Sequence, residues 1–196
     1  QVTCTPQVNA ELFNLVCGGL GHAALILTVT FTLKPIKTAF IRQRNVVIRN
    51  LDDMLARLQD FNASTYSVSW IDCLATGKSL GRGVLMLGEH ALPEEVQSRS
   101  LLKVHAAPRL SAPFFFPGFL LNSASVRLFN FLIYNKFKLG AKEAVVHYDP
   151  YFYPLDFVRN WNKLYGKRGF LQYQFVIPFQ HAKEGLRTIL DKIGKS

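Results

Sequence analysis

Between Gly21 and Pro35 the chain alternates. Leu25, Leu27, Val29, Phe31 and Leu33 fall on one side, and Ile26, Thr28, Thr30 and Thr32 on the other. Period two with β-branched residues predicts a strand with one core face, ended by Lys34-Pro35. Before it, Leu12, Phe13, Leu15 and Val16 recur at helical spacing after Asn9, a capping residue type, and Gly18-Gly19 stop the run. A helix is expected there. Thr38 to Ile48 reads as a second strand. Asn50 then caps a helix carrying Leu51, Met54, Leu55, Leu58 and Phe61, with Asp52 and Asp53 in the first turn, where the helix dipole favours anions. Tyr66 to Asp72 and Gly83 to Gly88 read as strands joined by a Gly-containing connection. Pro93, Pro108, Pro113 and Pro117 make 91–125 a long irregular stretch, because proline lacks a backbone donor and fixes φ. A basic helix is expected over Val126 to Lys138, a strand around Ala144 to Tyr148, and an aromatic turn from Tyr148 to Pro154. A helix (Leu155 to Tyr165), a strand (Phe170 to Ile177) and a last helix (His181 to Ile193) complete the order. It lacks strict βαβ alternation and predicts an α+β domain: an antiparallel β-sheet flanked by helices.

Of the 196 residues 49% are apolar and 18% charged, which allows a packed core and excludes wholesale disorder. Lys plus Arg exceed Asp plus Glu by 23 − 13 = 10, a balance that favours an anionic partner such as phosphate, nucleic acid or an acidic membrane surface. The cations are dispersed and do not interleave with aromatics as an RNA-binding platform requires, so no nucleic-acid partner is expected. No apolar run reaches the roughly 18 to 20 residues of a spanning helix. Three cysteines, Cys4, Cys17 and Cys73, are too few for a disulfide framework, which points to a reducing compartment and a cytoplasmic or membrane-associated protein. There is no initiator Met and no signal-peptide pattern at the start, and both ends read as element boundaries, so a portion of something larger is expected.

Metal chemistry finds no support. The cysteines form no C-x-x-C pair, and His22, His90, His105, His147 and His181 show no ligand spacing. The cysteines read as small buried apolar groups; nothing singles out a Cys-His nucleophile pair. Gly18, Gly19 and Gly21 lie between a helix and a strand, the reverse of a Rossmann fingerprint. They are either a helix stop with a tight turn or a place where bare backbone lets a cofactor approach. In Phe170 to Ile177, period two sets Gln172 and Gln174 on one face. An unpaired buried amide costs on the order of 1 to 3 kcal/mol, so either that face is wet or the amides meet a polar ring with donors and acceptors. Trp70, sharing a face with Val68 and Asp72, is a core residue or a pocket wall.

Several of these strings resemble one family. Gly18-Gly19-Leu20-Gly21 running into Leu25-Ile26-Leu27, Tyr66-Ser67-Val68-Ser69-Trp70-Ile71-Asp72, Leu80-Gly81-Arg82-Gly83 and Pro154-Leu155-Asp156 are similar to those of FAD-linked oxidases of the vanillyl-alcohol-oxidase type. So are Asn160-Trp161-Asn162-Lys163-Leu164-Tyr165-Gly166 and Gly169 to Pro178, the most specific of the set. The resemblance covers nearly the whole chain and is weakest in 91–125 and after Pro178. It implies that 1–35 is the end of the FAD-binding domain and 36–196 most of a substrate-binding (cap) domain lying over the flavin. It further implies FAD contacts at Gly19, Gly21, Ile26 and Gln174, and a substrate pocket lined by Trp70, Gln172, Gln174, Phe152 and Tyr153. The aromatic hydroxyl that the family carries before Pro154 falls at Phe152, with Tyr151 and Tyr153 beside it. The family's pyrophosphate-gripping segment, pocket cysteine and catalytic lysine have no counterpart here, so no catalytic residue is assigned. The implied activity is oxidation of a sugar hydroxyl, on a polyprenyl-phosphate-linked pentose of cell-wall sugar metabolism. Hydride passes to FAD, and a reductase partner completes an epimerisation. The stretch alone is expected to bind FAD weakly or not at all and to be inactive.

A rival reading uses the basic surface instead. Arg109, Arg127, Lys136 and Lys138 flank Phe114 to Phe119, Phe129 and Ile133, a combination suited to peripheral contact with anionic lipid.

Overall fold

The computed structural model describes residues 1–61, 64–104, 110–156 and 158–195; His105, Pro108 and Arg109, named above, lie outside them. The chain divides into two units, Gln1–Pro35 and Ile36–Ser196.

In the first unit, helix α1 (Ala10–Gly18) forms where the apolar spacing predicts it. Asn9 precedes it in the left-handed region (φ 52°) and gives no side-chain cap; its amide donates to Thr3 O at 3.0 Å instead. The predicted strand after Gly21 is absent as a ladder element. Residues 24–36 have no strand assignment, and Leu25, Phe31 and Leu33 are exposed. Alternation marks a segment able to pair, but a strand exists only where a neighbour closes its hydrogen bonds.

The second unit is α+β. Strands β1 (Phe40–Ile48), β2 (Tyr66–Ile71), β3 (Gly83–His90) and β5 (Glu143–His147) build an antiparallel sheet in the order β2-β3-β1-β5. Register sets Ile41 opposite His90 and Val146, and Trp70 opposite Val84. Opposed residues share a face and neighbours alternate, so Val46, Ile48, Leu85, Leu87 and Ile71 lie on one side. Helix α2 (Leu51–Asp60) covers that side with Met54 and Leu58, and Phe61 follows. Ile48, Met54, Leu85 and Leu87 are buried there, each side chain stabilising by about 1.5–3 kcal/mol. Asn50 caps α2, accepting from Asp53 N at 2.9 Å as expected.

The other face carries Ile41, Val84, Met86, Gly88, His90, Tyr66, Val68 and Trp70. Helix α4 (Tyr148–Phe152) packs on it through Tyr151. Helix α3 (Ser123–Leu139) is tied to the end of β2 by a buried bond from Asn130 Nδ2 to Asp72 Oδ1, 2.6 Å. Asp72 also accepts from Arg82 Nε at 2.9 Å and Nη2 at 2.7 Å and from Leu74 N at 3.1 Å, which satisfies a carboxylate only 2% exposed. Arg82 lies over the Tyr134 ring at 5.1 Å. Helix α5 (Phe179–Gly194) reaches α2 through Lys183 and Arg187, at 2.8 and 3.8 Å from Asp52.

Three local expectations are corrected. The aromatic turn after His147 is helical: His147 caps it, accepting from Asp149 N, and Pro150 sits in the first turn, where a missing N–H costs nothing. The expected helix Leu155 to Tyr165 is instead the short strand β6 (Val158–Arg159), paired in parallel with β4 (Leu110–Ser111), and a 3-10 turn Trp161–Tyr165. Asn160, at φ 59°, breaks the helical path between them. The expected strand Phe170 to Ile177 has no ladder partner. Among the described residues no helix is long and apolar enough to cross a membrane.

Candidate functional site

Gly88 is where the second face of the sheet opens for aromatic side chains. A Cβ there would stand 2.6 Å from Tyr151 Cζ and 2.9 Å from Ile41 Cγ2, so only glycine leaves room for the phenol ring. Tyr151 is buried and donates to Met86 O at 3.0 Å. Burial, with the nearby Glu89 charge and Tyr66, pushes its hydroxyl pKa up to about 12. Phe152 then stands edge-on to Tyr151 at 4.9 Å and to Tyr66 at 5.0 Å. Tyr66 OH meets His90 Nε2 at 3.2 Å, and the two rings are T-shaped at 5.5 Å. His90 Nδ1 is buried with no hydrogen-bond partner among the described residues.

Trp70 lies on the same strand face as Tyr66, two alternations along, and is partly buried. Its indole N–H has no partner among the described residues. Tyr153 is 51% exposed just beyond α4. Phe152 has no hydroxyl and that of Tyr151 is taken by Met86 O, so Tyr153 carries the open phenol of the turn.

Gln172 and Gln174 are exposed, and among the described residues neither carboxamide has a hydrogen-bond partner. Both side chains stand in solvent, so the paired amides carry no burial penalty. Their segment is anchored at both ends. Phe170 packs on Tyr165 at 4.4 Å and Trp161 at 5.4 Å, and Ile177 lies against Gly185 of α5. Between the anchors Leu171, Tyr173 and Val176 are almost wholly exposed.

In the first unit the glycines separate by role. A Cβ at Gly19 would fall 2.4 Å from Leu15 O, so α1 itself requires that glycine. Gly21, at φ 80°, has open space around it, and Ile26 is exposed on unladdered backbone. Within this unit the backbone at Gly21 and Ile26 stands open to solvent. Gly19 is accounted for by α1 alone.

The structure brings Phe152 together with Tyr66, His90 and Tyr151, and sets Trp70 on the Tyr66 face; the sequence reading did not join these residues. Period two already set Tyr66 on the Trp70 face. The meeting with His90 depends on cross-strand register, and that with Tyr151 on the notch at Gly88.

The second unit is thus an antiparallel sheet flanked by helices, with an aromatic face and a carboxamide-bearing segment. The comparison with known proteins names the relative. The chain is 32% identical over 189 residues, 93% of its length, to decaprenylphosphoryl-β-D-ribose oxidase of Mycolicibacterium smegmatis. The likeness runs through nearly the whole of this chain and supports membership of that protein's oxidase family. It is also 38% identical over 107 residues, 54% of its length, to an uncharacterized protein in the mprA 5′ region of Streptomyces coelicolor. The chain spans 41% of the length of the first relative and 29% of the second. No protein-family profile matches it.

Proposed function

We propose that the chain is the substrate-side part of an FAD-dependent oxidoreductase that oxidises a sugar hydroxyl on a polyprenyl-phosphate-linked pentose. The observation that carries this is the pair Gln172 and Gln174: two free carboxamides on a segment held at both ends by aromatic and aliphatic anchors. A carboxamide offers a donor and an acceptor, matching vicinal sugar hydroxyls and the edge of a flavin. Bound FAD supplies the hydride acceptor. The residues of this chain bind and orient: Trp70, Phe152 and Tyr153 present apolar and phenolic surface to the sugar, and Gln172 and Gln174 fix its hydroxyls. In this reading 1–35 closes the FAD-binding domain, 36–196 forms the cap, and a reductase partner returns the oxidised sugar as its epimer. The chain by itself does not turn substrate over.

The test uses the product of the complete reading frame. It is expected to purify with flavin absorbance that bleaches on anaerobic addition of decaprenylphosphoryl-ribose. Gln172→Leu or Gln174→Leu is expected to slow bleaching by about 10- to 100-fold, the loss of one or two substrate hydrogen bonds. A colourless protein, or bleaching unchanged in both variants, overturns the proposal.

A second reading concerns the membrane and rests on α3. Leu128, Phe129, Phe131, Leu132 and Leu139 are exposed on this helix, and Arg127, Lys136 and Lys138 flank them. An apolar stripe edged by cations suits the headgroup region of an anionic bilayer, where a polyprenyl substrate resides. Co-sedimentation with liposomes should rise with anionic lipid content; flat retention discards this contact.

A further inference from the structure

A second, basic cleft lies on the opposite half of the sheet. Strand β5 begins at Glu143, opposite Arg44, so Val46 to Ile48 of β1 have no strand beyond them on that side. The end of α2 and the end of α3 with its following turn flank the gap, leaving a hollow of about 380 Å³. Arg44, Arg57, Lys138 and Lys142 line it, with Phe61 among the apolar walls and Glu143 the one carboxylate among the described residues. Asp53 matches Arg57, so Arg44, Lys138 and Lys142 against Glu143 leave 3 − 1 = 2 positive charges in excess.

Two of the cations are held in place. Arg44 lies over the Phe61 ring at 5.1 Å, and Arg57 Nε is 3.5 Å from Asp53 Oδ1. Arg44, Lys138 and Lys142 form no ion pair among the described residues. The neighbouring hollow of about 340 Å³ makes the contrast: it shares Arg44 and Glu143, but its other charges are already matched. Arg42 there pairs with Glu95 at 3.1 Å, and Glu89 accepts from Thr65 N at 2.7 Å. Like charges converging on a concave surface repel one another and focus a positive potential that an anion relieves.

We propose that this cleft binds a phosphate or diphosphate group. Guanidinium and ammonium groups converging from several elements provide the charge-assisted donors such a group takes, and the volume accommodates a phosphate ester of nucleotide size. The proposal does not depend on the oxidase reading, because none of Trp70, Phe152, Tyr153, Gln172 or Gln174 lines the cleft.

Titration calorimetry of the 196-residue chain with inorganic pyrophosphate tests it. Saturable binding is expected, weakened at least about tenfold by Arg44→Gln with Lys142→Gln, since two charge-assisted contacts go. Lys167→Gln with Arg168→Gln removes the same charge outside the cleft and should change affinity less than about twofold. If Arg44→Gln disturbs the sheet by circular dichroism, Lys138→Gln with Lys142→Gln replaces it, with the same loss expected. A second arm adds vesicles of phosphatidylcholine containing phosphatidic acid. Displacement of vesicle-bound chain by pyrophosphate makes the ligand a lipid headgroup; pyrophosphate binding without vesicle competition makes it a soluble phosphate, and both support the site. Absence of saturable pyrophosphate binding, or equal weakening by the cleft and the distant pairs, overturns it.

Discussion

The sheet and the Phe170 to Ile177 segment carry the same kind of sequence and have different fates. Tyr66 to Ile71 and Leu171 to Ile177 are both rich in β-formers, and each carries two polar residues two positions apart, Ser67 and Ser69 in one and Gln172 and Gln174 in the other. The first is a strand because β3 lies beside it, in register from Tyr66–Gly88 to Ile71–Gly83. The second has no strand alongside among the described residues, and its Leu171, Tyr173 and Val176 stand in solvent. Alternation specifies which face a residue takes once paired; it does not supply the partner.

Perturbations should therefore be large where groups are mutually satisfied and vanish where they are free. The largest effect is expected from Asp72→Ala, which strips Arg82 and Asn130 of a shared buried acceptor. A loss of about 3–5 kcal/mol in urea unfolding is expected; a loss under about 1 kcal/mol would mean the network is relaxed by water. Next comes alkaline titration of Tyr151. Its hydroxyl pKa stands at about 12 in the fold against 10 when free, so the neutral form is the one stabilised. That stability is complete below pH 10 and lost as pH rises towards 12, about 2–3 kcal/mol in all. Thermal melts across this window should fall for the native chain and stay flatter for Tyr151→Phe. Gly88→Ala should cost about 1–3 kcal/mol by driving Tyr151 off Met86 O; no change in near-ultraviolet circular dichroism would contradict the notch. Smallest of all, Gln172→Leu or Gln174→Leu in the isolated chain should shift stability by less than about 0.5 kcal/mol. Amides 171–176 should exchange with solvent within the dead time while those of β3 stay protected.

The readable parts of the molecule were those with local causes. Asn50 with Asp52 and Asp53 announces α2, and the runs from Tyr66 and Gly83 announce β2 and β3, because caps and periodicity are written in adjacent residues. Asn160 was hidden: its left-handed backbone ends a helix that Leu155 to Tyr165 otherwise patterns well. Pro150 read as a turn residue yet sits in the first turn of α4, where His147 supplies the cap. Of the candidate site, the Trp70 face followed from alternation. The Phe152–Tyr66–His90 contacts did not, since they require β3 register and a glycine under Tyr151.

The exposed run Leu171-Gln172-Tyr173-Gln174-Phe175-Val176 has a practical consequence for handling the chain. It is six residues long, uncharged, free of proline and glycine, and composed of side chains that interdigitate well between stacked copies. At high concentration such segments can template one another into cross-β ladders, which makes this stretch the expected aggregation site of the isolated chain.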